Sequence, residues 1–405
     1  MPVERITLQE ALREIYSVLD DETFQRGLRT GVRNAEGRFL KILAEHPELE
    51  QLARMVEKAK KEVISKIDYY IDMAMKSLER VHARAYLVHT AEEARETVLR
   101  IVGSRKLVIF SKSMVAEELK LREALEEAGN EVWETDMGEL LIQLSGGKPM
   151  HTTAPAIHMS RFEAAKLLSK KLGIRLSENP TPEEIVSAVR DILRDKFVRA
   201  DVGISGGNAL AADSGSIVLV ENEGNIRLVT GLPPVHIAIM GVEKIVPTLQ
   251  HALAAAIVQA AWAGLYPPTY INVISGPSST SDIERKRVYG AHGPREVHVV
   301  LVDNGRVRAA RHEVLSEQLK CIRCGRCQWE CPVWQQTANV WGGPAYGGPM
   351  GIGWTAITLG VKEAAELSML CLSCGRCDEV CPVRVPLSSI IRWLKRQYAS
   401  SLDKG

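Results

Sequence analysis

Cysteine is missing from the first 320 residues of this 405-residue chain, and all eight cysteines lie between positions 321 and 381. That absence removes thiol nucleophiles and structural disulfides from the larger part of the protein. Charge imbalance is missing too: 51 basic against 50 acidic residues leave a formal net charge of +1, so the electrostatic footprint of nucleic-acid binding is absent. The opening MPVERITLQE lacks a basic-then-apolar leader, and the expected compartment is a reducing cytoplasm. The longest uncharged stretch, Ala252 to Tyr266, is short of the ~20 residues that cross a bilayer. Its alanines and the Pro267-Pro268 that follow fit a helix packed inside a domain, and no membrane span is expected. No Walker loop occurs, and GISGGNALAADSG (203–215) fits neither G-x-G-x-x-G opening a helix nor a flavin fingerprint. Binding of NAD or FAD by this chain is therefore not expected.

What is present falls into three textures, with divisions expected at 1–75, 76–310 and 311–405. The first hundred residues read as helix, with Thr7-x-x-Glu10 and Thr90-x-x-Glu93 as capping boxes and 49–80 as one amphipathic stretch. From Lys106 short β-rich runs such as KLVIFSKS, NEVWETDM, ADVGI, GSIVLVE, HIAIMGVEKIV, YINVIS and VHVVLVDN alternate with helical segments, among them MVAEELKLREALEEAG and TPEEIVSAVRDILRDKF. This is an α/β pattern with a mixed, mostly parallel sheet. The passage from GSIVLVE through NEGN to IRLVT reads as a hairpin and supplies an antiparallel pair. After Asn304 strand signals stop, and the cysteines arrive in all-helical sequence.

CIRCGRCQWECPV and CLSCGRCDEVCPV each carry C-x₂-C-x₂-C-x₃-C-P. In this iron–sulfur pattern three closely spaced thiolates hold one cluster and the fourth reaches the other. Cys321, Cys324, Cys327 and Cys381 are assigned to one [4Fe–4S] cluster, and Cys371, Cys374, Cys377 and Cys331 to a second. Pro332 and Pro382 turn the backbone away after each fourth thiol. Zinc sites favour two separated C-x₂-C pairs, and disulfides do not suit the expected compartment. The 39 residues between Cys331 and Cys371 point to a helical ferredoxin domain rather than a compact one. Within them, WGGPAYGGPMGIGW (341–354) is either a lid carrying Trp341, Tyr346 and Trp354 or a connection whose glycines serve positive φ. Arg323, Arg326 and Arg376 are expected at the solvated surface, the other reading being that they favour a reduced cluster.

In the α/β part no catalytic residue is assigned. Tentative ligand-binding residues are Ser111 and Lys112, with Ser113, after one strand, and Gly276, Ser278 and Thr280, with Asp282, after another. The second group reads as a helix-start anion site or as a capped strand-to-helix turn. Asn208 is added as a ligand candidate, although it, Glu139, Glu221 and Lys244 carry no spacing signal. His158 and His236 sit in apolar runs and are expected to be core histidines.

SKSMVAEE, ETDMGELLIQLSGGKPMHTTAPAIH, ADVGISGGNALAADSGSIVLVENEGNIRLVTGLPPVHIAIMGVEKIVP, ISGPSSTSDIE, HGPREVHVVLVDNGR and both cysteine motifs resemble the lactate-utilisation protein B family over most of residues 80 to 390. The resemblance implies a LUD domain with a fold similar to sugar-phosphate isomerases and coenzyme A transferases, followed by a helical ferredoxin domain. It implies a part in oxidising L-lactate to pyruvate beside a cysteine-rich heterodisulfide-reductase-type subunit and a second LUD protein. All eight cluster cysteines of the family have counterparts here. Family members usually continue for some tens of residues beyond the second motif, whereas the sequence here closes with IIRWLKRQYASSLDKG, a helix expected to cap the ferredoxin domain or to lie on a partner or membrane surface. Two other functions fit the same residues: electron transfer in another reductase, of heterodisulfide or glycolate type, and group transfer with structural clusters.

Overall fold

Six short apolar runs form one wholly parallel sheet in the computed structural model, which describes residues 7–402. In spatial order the strands are Arg84–Val88, Glu296–Val302, Val235–Gly241, Val202–Ser205, Leu107–Ser111 and Glu131–Glu134, each parallel to its neighbour. Leu107–Ser111 and Val202–Ser205 are buried at every position, as strands covered by helices on both faces must be. From Leu107–Ser111 the chain moves outward to Glu131–Glu134, whereas from Val202–Ser205 it moves the other way to Val235–Gly241. Strand order therefore reverses between these two neighbours, and a crevice opens at their carboxyl ends.

The antiparallel pairing lies in a second sheet, ordered Ile245–Val246, Ala209–Ala211, Ser216–Glu221 and Tyr270–Ile274. Ser216–Glu221 pairs antiparallel with Ala209–Ala211 and Tyr270–Ile274, not with the IRLVT segment expected to complete a hairpin. Asn225–Gly231 is instead a helix opened by Gly224 at φ 83°, which buries Val229 and brings the Arg227 N–H to Glu221 Oε2 at 3.1 Å. Tertiary burial here overrides β propensity. The single helix expected over 49–80 is two, Leu49–Ser65 and Ile67–Arg80. The break at Lys66 lets Leu49, Ala53 and Val56 face the cysteine region while Ile71, Ala74 and Leu78 face the sheet. Likewise MVAEELKLREALEEAG splits at Lys120, φ 47°, into Met114–Glu118 and Leu121–Glu127. No helix starts in ISGPSSTSDIE: Ser279–Thr280 pairs antiparallel with Val288–Tyr289.

The cysteine region is built of short helices, closed by Gly348–Thr358, Val361–Ser368 and Leu387–Leu402. Leu387–Leu402 packs on the other two, so the basic C-terminal helix caps this region. The first two helices, Leu8–Asp20 and Glu22–Glu45, pack here as well: Gln25 Nε2 donates to the Gln336 carbonyl at 2.8 Å, and the Arg326 guanidinium lies 3.9 Å over the Phe39 ring. One apolar core joins these helices, Ala252–Ala261 and the cysteines. Among the described residues no helix is long and apolar enough to cross a membrane.

Gly203 supplies a direct test of this packing. A Cβ there would run into the Val229 carbonyl and Pro233, whereas one at Gly231 would meet open space. Gly203→Ala is expected to destabilise the protein by about 1–3 kcal/mol, and Gly231→Ala to leave thermal unfolding nearly unchanged.

Candidate functional site

The two cysteine motifs fold alike because two residues in each take left-handed backbone. Arg323 (φ 60°) and Gly325 (φ 77°) in the first correspond to Ser373 (φ 57°) and Gly375 (φ 80°) in the second. That conformation is uncommon for residues other than glycine, and it curls each loop around its own thiols. Short helices, Arg326–Trp329 and Arg376–Glu379, then carry the third cysteine of each motif. Cys321, Cys324, Cys327 and Cys381 come to line one small cavity, closed by Met350, Val383, Val385 and Leu387. Cys331, Cys371, Cys374 and Cys377 line another, with Pro332, Val333 and Pro349. Each cavity thus takes three thiols from one motif and one from the other.

None of the eight cysteines is in a disulfide. Burial first, and neighbouring thiols second, push up the Cys324 and Cys327 thiols. Burial raises Cys331 to about 11 and Cys381 to about 12. Such thiols ionise readily only against a cationic body, and iron supplies one. The chain also prepares for thiolate charge: backbone N–H groups of Val385 and Ser373 each lie 3.3 Å from Cys381 Sγ and Cys371 Sγ. This donor set fits iron–sulfur clusters. The two cavities differ in depth, since Cys321, Cys324 and Cys327 are buried whereas Cys374 is exposed and Leu372 beside it is 67% exposed.

A larger cavity of about 400 Å³ occupies the crevice where strand order reverses. Ser111 and Lys112 enter it from the end of Leu107–Ser111, and Gly206 and Gly207 from the end of Val202–Ser205. Lys244 and Arg323 contribute cations, and Asp136, Glu221 and Glu223 contribute carboxylates. The carboxylates have partners within the chain. Asp136 accepts from Glu139 N at 3.0 Å, Glu221 pairs with Arg227 Nε at 2.7 Å, and Glu223 accepts from Met137 N at 3.1 Å. Burial, reinforced by Asp136, raises Glu223 to about 7. Lys112 Nζ makes no hydrogen bond and stands 3.7 Å from Glu139 Oε1, a carboxyl that burial raises to about 7 against the pull of Lys112.

Arg323 borders both this cavity and the first thiol cavity. It is 3% exposed and ion-pairs with Glu243 at 2.6 Å, while its guanidinium packs on the Trp354 and Tyr346 rings at 4.4 and 4.9 Å. Arg326 is buried as well, so two of the three arginines expected at the surface are internal; Arg376 is exposed. Burial is tolerable because each finds a carboxylate, Arg326 at Glu330. His151 locks the same wall: Nε2 lies 3.2 Å from the Gly325 carbonyl, and the ring stacks on Trp329 at 3.9 Å, with burial lowering its basicity to about 3.

The structure gathers Ser111, Lys112 and Asn208 at the large cavity, whereas Gly276, Ser278 and Thr280 do not line it. Asn208 is held by Gln259 at 2.8 Å and by Val220 N at 2.9 Å. His236 is a buried histidine bonded to Ser205 at 2.8 Å, and His158 packs on Phe24. Trp341, Tyr346 and Trp354 are buried, and Gly342, Gly343 and Gly348 have φ of 128°, 143° and 66°, so 341–354 is an internal connection and not a lid. Glu221, Lys244 and Arg323 carry no spacing signal as cavity residues; the available hint was the pair Glu243-Lys244 inside the otherwise apolar run HIAIMGVEKIV.

Comparison with known proteins matches residues 71–302 to the LUD domain and residues 317–385 to the 4Fe-4S dicluster domain. The chain is 37% identical to lactate utilization protein B of Shouchella clausii over 347 residues, 84% of this chain and 70% of that protein. It is 34% identical to the protein of the same name from Bacillus licheniformis over 392 residues, 96% of this chain and 80% of that one. For the Bacillus subtilis protein of that name the identity is 34% over 388 residues, covering 94% and 78%. A crystal structure of a DUF162 family protein from Deinococcus radiodurans aligns with 58% of this chain and 97% of its own, at 15% identity and a TM-score of 0.33.

Proposed function

The chain belongs to the lactate utilization protein B family, and on that footing we propose that it is the iron–sulfur electron-transfer subunit of a cytoplasmic complex oxidising L-lactate to pyruvate. The observation that carries the reading is the crossed gathering of eight thiols around two cavities. Cys321, Cys324, Cys327 and Cys381 would hold one [4Fe–4S] cluster, and Cys331, Cys371, Cys374 and Cys377 the other. When bound, each cluster supplies one-electron redox chemistry. The residues around them divide the labour: the first set is enclosed beside the large cavity, while Cys374, Leu372 and Met369 bring the second set to the surface. That exposed face suits a redox partner, for which a cysteine-rich heterodisulfide-reductase-type protein and a second LUD protein are the proposed companions. A two-electron acceptor for the hydroxy acid belongs to such a companion on this reading.

Anaerobic purification of the tagged chain with its companions, followed by EPR before and after L-lactate, tests the proposal. Lactate-dependent appearance of the reduced-cluster signal is expected. Clusters that dithionite reduces and lactate does not, in a preparation retaining the companions, would assign the wire to a different donor.

A further inference from the structure

We propose that the cavity at the strand-order reversal is an organic-acid site on this chain, in which a carboxylate is bound by Lys244 and Lys112 beside Arg323. The inference rests on the lactate-oxidation reading for the identity of the acid, but its location comes from the charges lining the cavity.

Three observations converge. First, Lys244 has no close carboxylate partner among the described residues, whereas Lys112 and Arg323 have Glu139 and Glu243 at 3.7 and 2.6 Å and the acids of the lining are engaged. The carboxylates of Asp136, Glu221 and Glu223 are all engaged by backbone or side-chain donors of the chain itself. Lys244 is 6% exposed and makes no hydrogen bond or ion pair among the described residues; burial, then Arg323, lowers it to about 7, with the Glu243 charge pulling the other way. Burying an ammonium without a partner is costly, and a bound anion removes that cost. Second, Ser111, a lining residue whose side chain is 1% exposed, leaves its Oγ without a hydrogen-bond partner among the described residues. Third, the cavity stands at the carboxyl ends of adjacent parallel strands on either side of the reversal, where open α/β sheets place ligands.

Part of the wall is apolar, formed by Leu219, Ile226, Ile239 and Leu265, and Thr152, Asn208 and Gln259 add neutral polar groups. A carboxylate carried on a short carbon chain matches this mixed lining, and about 400 Å³ accommodates acids longer than three carbons. Arg323 gives the site its meaning: it lies between Cys321 and Cys324 in sequence and borders both the acid cavity and the first thiol cavity. The acid would sit against the wall of that cradle rather than on a distant face.

The test is calorimetric titration of the cluster-loaded chain, without companions, with L-lactate, pyruvate, 2-hydroxyhexanoate and inorganic phosphate. At least one carboxylate is expected to bind, with affinity reduced about tenfold or more in Lys244→Met, as loss of a charge-assisted bond implies. Lys244→Arg is expected to restore part of it, and Lys112→Met, at the end of Leu107–Ser111, to weaken binding as well. Visible absorption of the clusters, unchanged in each variant, reports that the fold is intact. Binding of phosphate alone, or carboxylate binding indifferent to both lysines, would overturn the assignment. No carboxylate binding in a chain whose complex is still reduced by lactate would place the acid on a companion, overturning this inference while leaving the electron-transfer reading standing. Carboxylate binding in a complex that lactate does not reduce would do the reverse.

Discussion

Cys331→Ala is expected to remove the cluster associated with the second motif while leaving the cluster of its own motif in place. Cys331 belongs to CIRCGRCQWECPV, but the spacing pattern assigns it to the other cluster, and its thiol lines the cavity of Cys371, Cys374 and Cys377. Cys381→Ala is expected to do the converse, because Cys381 completes the cavity of Cys321, Cys324 and Cys327. Iron analysis on anaerobically prepared protein should fall by about half in either variant, each four-iron cluster needing its four thiolates. The second-motif loss is expected to be the more complete, since three ligands left in the partly exposed site face solvent at Cys374. The first site keeps its enclosure by Met350, Val383 and Val385, and its own EPR signal is expected to persist in Cys331→Ala. Loss of the first-motif signal on removing Cys331 would reverse the assignment.

Arg306→Met is expected to cost about 3–5 kcal/mol, the largest effect of any single change outside the thiols. Arg306 is fully buried and donates to both oxygens of Glu118 at 2.9 and 2.6 Å and to Glu243 Oε2 at 2.5 Å. Tyr346 Oη adds 2.6 Å to Glu118, and Asn304 Nδ2 adds 2.7 Å, so the network ties Met114–Glu118 and the end of Val235–Gly241 to the cysteine region. Among the described residues, removing the guanidinium leaves Glu118 with neutral donors and Glu243 with Arg323 as its close ion-pair partner. Burial by itself would raise both carboxyls, but Arg306 overrides it and holds them below the ordinary 4.5. Their folded-state values being depressed, the stability they contribute is present above pH 4.5 and lost as pH falls below it toward those values. The melting-temperature gap between the natural chain and Arg306→Met should therefore be widest near neutrality and narrow below pH 4.5. A gap independent of pH would mean that packing over Trp354, 5.2 Å from the guanidinium, and not charge, is what the residue provides.

The cysteine grouping was legible because the gathering of three thiols in one loop is local: Arg323, Gly325, Ser373 and Gly375 set the curl of the two loops. Five of the six parallel strands were legible too, their apolar runs bounded by turn residues; the edge strand Arg84–Val88 was not, since it lies within the first hundred residues read as helix. The large cavity was not, because Lys112, Lys244 and Arg323 are brought together only by strand order and by docking of the cysteine region on the sheet. Arg323 and Arg326 were misplaced at the surface for the same reason: an arginine is ordinarily solvated, and the carboxylates that permit burial, Glu243 and Glu330, cannot be identified as partners from spacing in the first case. IRLVT was misread as a strand because its β-branched residues outvote Gly224, which opens a helix.

The most direct measurement is quantitative EPR with iron analysis on the dithionite-reduced, anaerobically purified chain. About eight iron atoms per chain and two magnetically interacting reduced clusters are expected, as neighbouring cavities that share motifs require. Zinc in the thiol sites, or about four irons and a single isolated spin, would contradict the assignment of both cavities to iron–sulfur clusters.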